Sequence, residues 1–399
     1  MLSEHPDGAY AVNRPRRFDR RTFLGLLAAS VPAVAIAARN PIADPPVLHA
    51  TIALPEKAPT ARRPGNDLRV GHAPPAILPD SIDLSAPRPH EGAARLVTEI
   101  PMLAYSNPVV AENCPDPQVL NDDGTFYMVS TSHTLPAFPI RESTDLVHWR
   151  DTGVHVFTNA NSPRWANDTF WAPELHRVAH LYVCYYTARS KRSGRLCIGA
   201  AVSQAPFGPY SDLGAPLISG PTAFLDPTFF RDEDGRQYLY WKADAAPRDP
   251  SGPICVQELT ADGLSLIGDR WEIATNDLPW EQRLIEGPSV MKRDGMYYLF
   301  YSGGAFNSAS YAVGVARSRI GPTGGFVKRG DPLLSSSARW QGPGHNSLVH
   351  YGDEDFIVFH AWEGERFRNL RPGFIDRLRW TEDGWPEVND GTPRERWDG

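Results

Sequence analysis

Three carboxylates occupy matching points in three similar stretches, and their type and placement point to acid–base chemistry. They are Asp116 in Pro115-Asp116-Pro117-Gln118-Val119-Leu120, Asp226 in Leu225-Asp226-Pro227-Thr228-Phe229-Phe230, and Glu286 in Glu286-Gly287-Pro288-Ser289-Val290-Met291. Each opens a short apolar run, followed by a turn and an aromatic-rich run. Gathered in one pocket, like charges raise one another's proton affinity. Cleaving a glycosidic bond needs such a set, with one acid kept protonated and a second group ionised as base or nucleophile. A lone Asp-Pro is more often a structural turn pair. Three acids in the same register carry the functional signal.

Two further stretches share the layout, Trp171-Ala172-Pro173-Glu174-Leu175-His176 and Gly344-His345-Asn346-Ser347-Leu348-Val349. Between paired runs lie turn signals such as Asp123-Gly124, Asp234-Gly235 and Asp294-Gly295, read as tight hairpins because Gly accepts positive φ. The period, about 55 to 60 residues, fits one four-stranded propeller blade with its loops. Helical periodicity is almost absent. The expected fold is all-β, a five-bladed β-propeller, with a β-sandwich as the alternative. WD40 blade signatures are missing. Inner strands of a propeller all run the same way, so their starts converge on one channel mouth. That places Asp116, Ala172 (beside Glu174), Asp226, Glu286-Gly287 and His345 on one rim, with Trp171 next to it, able to stack on a sugar face or to pack in the core.

Composition agrees with many short strands: 38 Pro, 33 Gly and 11% aromatic residues in 399. A net charge of −7 and no basic run in the body of the chain argue against nucleic acid. At the N-terminus, Arg20-Arg21-Thr22-Phe23-Leu24 precedes a short apolar run and Ala35-Ile36-Ala37, the layout of a cleavable export signal over 1–38. Paired arginines of this kind resemble the twin-arginine type. The run is shorter than the roughly 20 residues a membrane span requires. Residues 39–98 are Pro- and Ala-rich without periodicity and read as a linker, leaving 99–393 for the propeller. Cys114, Cys184, Cys197 and Cys255 match no metal or redox spacing. Cys184 and Cys197 flank a hairpin turn and could face each other, but buried free thiols suit most of the four better.

Taken together these stretches resemble glycoside hydrolase family 43. The resemblance runs from about Asn107 to Pro386 and also includes Ser143-Thr144-Asp145-Leu146-Val147-His148-Trp149, Ala205-Pro206-Phe207-Gly208-Pro209-Tyr210 and Asp383-Gly384-Trp385-Pro386. It implies Asp116 as general base, Glu286 as general acid and Asp226 as the third acid that orients Glu286 and raises its pKa. It implies inversion, for which base and acid stand roughly 6.5–9.5 Å apart. It also implies that Arg371 reaches the site, with a solvated arginine as the alternative, and that Trp171 and Glu174 lie near the sugar. In several members the histidine matching His345 helps hold a hydrated calcium or other ion. The resemblance therefore allows structural Ca2+ in the channel, against a metal-free polar filler, and requires no cofactor for the chemistry. The implied partner is a pentose-containing polysaccharide or oligosaccharide. The expected protein is a secreted monomer with no membrane attachment after signal cleavage. Arabinose-releasing activity is favoured, with β-xylosidase or galactan-directed activity as the alternative. A non-catalytic carbohydrate-binding propeller is the reading of another class. The Leu225-Asp226-Pro227 and Glu286-Gly287 pairs count against β-fructosidases, which carry Arg-Asp-Pro and Glu-Cys there.

Overall fold

A computed structural model describes residues 104–364, 367 and 370–398. The export signal and linker read at 1–38 and 39–98 lie outside these residues. The described chain is a five-bladed β-propeller with one short 3-10 turn, Pro279–Glu281. A first strand β1 (Tyr105–Ser106) precedes the blades. Blade one holds β2 (Gln118–Asp122), β3 (Thr125–Val129), β4 (Ala137–Ser143) and β5 (Arg150–Phe157). Blade two holds β6 (Ala166–Val178), β7 (Leu181–Ser190), β8 (Leu196–Ser203) and β9 (Ser211–Asp212). Blade three holds β10 (Phe224–Arg231), β11 (Gln237–Ala243), β12 (Ile254–Leu259) and β13 (Leu266–Ala274). Blade four holds β14 (Ile285–Arg293), β15 (Met296–Gly303), β16 (Ala312–Ser318) and β17 (Val327–Lys328). Blade five holds β18 (Trp340–Tyr351), β19 (Glu354–Glu363), β20 (Gly373–Trp380) and β21 (Pro386–Glu387). A last strand, β22 (Arg396–Trp397), follows them.

Each blade is an antiparallel meander whose first strand lies innermost, as β2, β6, β10, β14 and β18 contact one another in turn around the ring. Asp123-Gly124 and Asp294-Gly295 are two-residue turns with both residues at positive φ, the hairpin geometry that Asp-Gly favours. Blade three differs from the tight turn expected at Asp234-Gly235. Its connection spans five residues, 232–236, because Asp232 turns inward to receive the Glu233 N–H, the Lys292 ammonium and the Tyr297 hydroxyl.

Every seam between blades carries its own apolar cluster, for example Phe170 and Tyr186 against Phe138 and Phe157 between blades one and two. Each fully buried side chain of this size contributes about 1.5–3 kcal/mol, so the seams hold the ring together. The seam from five to one also needs the chain ends. β1 pairs with β22, and Asn107 donates to the Ile375 and Arg394 carbonyls. Val110 bridges Gly373, and the Cys114 N–H donates to the Arg371 carbonyl. This lacing carries ordered structure to Trp397 and brings the start of β20 against the approach to β2. All four cysteines are free and buried. Strand register explains why Cys184 and Cys197 do not meet: Cys184 lies opposite Ala201, and Cys197 opposite Ala188.

Candidate active site

The inner strands share one distortion. Asp116, Ala172, Asp226, Gly287 and His345 hold the same repeat position and all have positive φ, 53°, 43°, 56°, 55° and 49°. In β6, β10, β14 and β18 the strand ladder slips at this point. A left-handed non-glycine residue costs on the order of 1–3 kcal/mol, so four of them on one rim mark a site built at the expense of stability. The kink sends the backbone N–H of each toward the preceding blade. Asp116 donates to His360 Nδ1 at 3.1 Å, Ala172 to Thr131 Oγ1 at 2.7 Å, Asp226 to Thr187 Oγ1 at 2.9 Å and His345 to Ser302 Oγ at 2.7 Å. Gly287 instead donates to the Asp226 carboxylate, Oδ2, at 3.1 Å.

Asp116 is the most heavily neutralised of the acids. Arg371 Nη1 lies 3.1 Å from its Oδ1, His360 Nδ1 3.4 Å and His345 Nδ1 3.5 Å, while Thr131 donates to Oδ2 at 2.5 Å. Burial alone pushes its pKa up, but Arg371 and His345 outweigh that and hold the carboxyl well below the usual range. Glu286 moves the other way. It is half-buried, and burial together with the Asp226 charge pushes it up to about 7, despite His345 and a 2.8 Å hydrogen bond from Tyr311. Burial also raises Asp226, against His345, the Gly287 N–H and Lys242. His345 is half-buried among all three acids. Burial disfavours its charge, but Asp116, Asp226 and Glu286 together raise its pKa. His360, fully buried beside Arg371, is held neutral by burial and by that cation.

Asp116, Asp226, Glu286 and His345 therefore converge, as the repeat register places them, and Arg371 joins them, as the resemblance implied. Trp171 flanks the rim, half-buried, with Nε1 donating to exposed His133 at 2.7 Å. Glu174 does not join them. It lies two residues beyond the kink, buried in the channel, where Thr228 donates to it at 2.9 Å and His176 stands 2.6 Å away. Thr131, His360 and Tyr311 were not singled out from the sequence. The first two sit opposite the kink, Thr131 just past the end of β3 and His360 on β19, a position readable only once the hairpins are in register. Tyr311 enters ahead of β16 and stacks on His360, its ring centroid 6.1 Å away.

A five-bladed ring that holds one carboxylate ionised and another protonated in the same mouth defines a class of propeller built for acid–base cleavage of a sugar linkage. The chain belongs to glycosyl hydrolases family 43, whose model matches residues 105–386. It is 27% identical over 309 residues to the extracellular exo-alpha-(1->5)-L-arabinofuranosidase ArbA of Cellvibrio japonicus, covering 69% of this chain and 86% of that protein. It is 28% identical to the beta-D-galactofuranosidase xynD of Aspergillus niger, covering 77% and 91%. Among solved structures, a thermostable family-43 glycoside hydrolase is 32% identical with a TM-score of 0.65, covering 71% of this chain and 96% of that one.

Proposed function

We infer that this glycoside hydrolase cleaves pentose-containing glycans with inversion, in the manner of an α-L-arabinofuranosidase or arabinanase. The observation that carries the reading is the split in proton affinity around His345: Asp116 is held ionised while Glu286 keeps its proton up to about 7. Asp116 takes a proton from a water as that water's oxygen bonds the anomeric carbon. Glu286 gives its proton to the departing sugar oxygen as the old C–O bond breaks. Asp226, tied to the Gly287 N–H, orients Glu286 and keeps its pKa raised. Arg371 holds Asp116 and leaves its free donors for sugar hydroxyls, and Trp171 offers a ring face at the rim. The preference for arabinose rests on the likeness to the exo-arabinofuranosidases.

His345, ringed by Asp116, Asp226 and Glu286, would hold a hydrated Ca2+ through water, a structural ion with no part in the bond-breaking steps. Among the described residues no group of three or more His, Cys, Asp or Glu is arranged to ligate an ion directly, and no step is routed through one. The paired Arg20-Arg21 supports export by the twin-arginine route. A double lysine replacement that still exported the enzyme would remove that support.

The test is hydrolysis of aryl arabinofuranosides, aryl xylosides and arabinan oligomers, with NMR of the first-released sugar. Arabinose appearing first as the inverted anomer is expected. A retained anomer would overturn the mechanism, and turnover of xylosides alone would overturn the sugar assignment.

A further inference from the structure

Blade three breaks the pattern that the other blades keep. In blades one, two, four and five, the residue opposite the kink, on the second strand or just past its end, is Thr131, Thr187, Ser302 or His360, and its side chain accepts the N–H of the next blade's left-handed residue. In blade three that residue is Lys242, paired with Leu225 across the hairpin as Ser302 is with Glu286. An ammonium has only donors and cannot accept an N–H. The amide left over is that of Gly287, and it is this N–H that reaches Asp226 Oδ2 at 3.1 Å.

Lys242 is also costly to keep. Its side chain is fully buried, and it donates to the carbonyls of Ala243, at the end of β11, at 2.8 Å, and of Gly252, in the following loop, at 3.1 Å. The nearest carboxylate oxygen, on Asp244, is 3.9 Å away. A cation buried without a close counter-ion normally loses out to an apolar residue of similar size. The titratable groups that face it are Asp244 in the loop, Glu286 on β14, Asp226 on β10 and the Cys255 thiol on β12, which burial keeps neutral. Two of these are candidate catalytic acids.

Resting on the reading of Asp226 as third acid, we propose that Lys242 is a positioning residue for hydrolysis: it frees the Gly287 N–H to hold Asp226, and it sets the charge beneath Asp226 and Glu286. The N–H fixes one carboxylate oxygen, while the buried cation favours the ionised form of both acids. His345 and Asp116 act on the same two acids, His345 favouring their ionised forms and Asp116 opposing them.

The test is the pH profile of kcat/KM for Lys242→Met, Lys242→Thr and Asp244→Asn, with Asp226→Asn as the control for the underlying reading. Methionine removes the charge without adding an acceptor, so the alkaline limb, set by Glu286, should move up by about half a unit to one unit while the acid limb, set by Asp116, stays. Threonine also restores the hydroxyl of the other blades, which takes the Gly287 N–H from Asp226. Its kcat should fall roughly tenfold below that of the methionine variant, with KM within about twofold. Asp244→Asn leaves Lys242 uncompensated and should move the alkaline limb down. Folded Lys242 variants that lower activity without moving the alkaline limb would reduce the residue to scaffolding and overturn the proposal. If the Lys242 variants do not fold, Asp244→Asn decides: a downward shift of that limb supports the proposal and an unmoved limb overturns it. An inactive Asp226→Asn beside unmoved Lys242 profiles sinks this inference alone. A fully active Asp226→Asn sinks the reading of the third acid on which it rests.

Discussion

Arg371 Nη1 stands 3.1 Å from Asp116 Oδ1 across the seam where blade five meets blade one, and both side chains are buried. The two residues lie at opposite ends of the propeller sequence. They meet because the segment before β2 is laced to the start of β20: Cys114 donates to the Arg371 carbonyl, and the Arg371 N–H donates to Asn113. Ring closure and the low pKa of Asp116 are thus one structural fact. A depressed carboxylate contributes stability that is present above its unfolded pKa and is lost as pH falls through the folded value, here below the ordinary range.

Arg371→Met should therefore raise the pKa of Asp116 and move the acid limb of kcat/KM upward. Leaving a buried carboxylate without its partner should cost roughly 3–5 kcal/mol, measurable by urea unfolding near neutral pH. An unchanged acid limb would show that His345 and the Thr131 hydroxyl keep Asp116 ionised without Arg371.

The alkaline limb should fall near 7, where Glu286 gives up the proton that the leaving oxygen needs. Tyr311 donates to the Glu286 carboxylate at 2.8 Å and so favours its ionised form. Tyr311→Phe should raise the Glu286 pKa and shift the alkaline limb upward by a few tenths of a unit to about one unit. A shift downward, or none, in a pH series of initial rates would contradict that role for the hydroxyl.

Glu286→Gln should be inactive on unactivated substrates yet more stable than the parent at alkaline pH. A raised carboxylate contributes stability below its unfolded pKa and loses it as pH rises through the folded value, here from about 4.5 towards about 7. At pH 8 the parent buries an ionised Glu286 and the variant does not. The gain should be on the order of 2 kcal/mol, and it should vanish near pH 4. Parallel thermal melts at the two pH values check this.

Gly344 lies directly under Tyr311: a Cβ there would meet the ring Cε1 at 2.1 Å. Gly344→Ala should push the tyrosine off Glu286, costing about 1–3 kcal/mol of stability from overpacking. Activity should fall at least as far as in Tyr311→Phe. A variant with parental stability and activity would mean that the ring is not held where the structure has it.

The propeller was legible because five inner strands carry the same start and the same hairpin, a signal that accumulates over the whole chain. The rim acids followed from register. Arg371 needed the resemblance as well, since nothing local distinguishes it from neighbouring arginines. Glu174 adjoins the rim along the strand, and beyond the left-handed kink at Ala172 its side chain is engaged by Thr228 and His176. Thr131, His360 and Tyr311 act across blade seams, and no pattern within one blade marks them. Lys242 was hidden for a different reason. It sits in an aromatic-rich strand and departs from the other blades only when second strands are compared position by position.

The division of labour between Asp116 and Glu286 is tested most directly by leaving-group dependence. Glu286→Gln and Asp116→Asn would be assayed on an activated aryl arabinofuranoside, such as the dinitrophenyl derivative, and on an arabinan oligomer. A leaving group that needs no proton should let Glu286→Gln keep activity within about tenfold of the parent, while its rate on the oligomer falls by roughly 10²–10⁴-fold. Asp116→Asn should lose both, because water activation is common to the two substrates. Equal losses on both substrates in Glu286→Gln, or retained activity in Asp116→Asn, would contradict the assignment of acid and base.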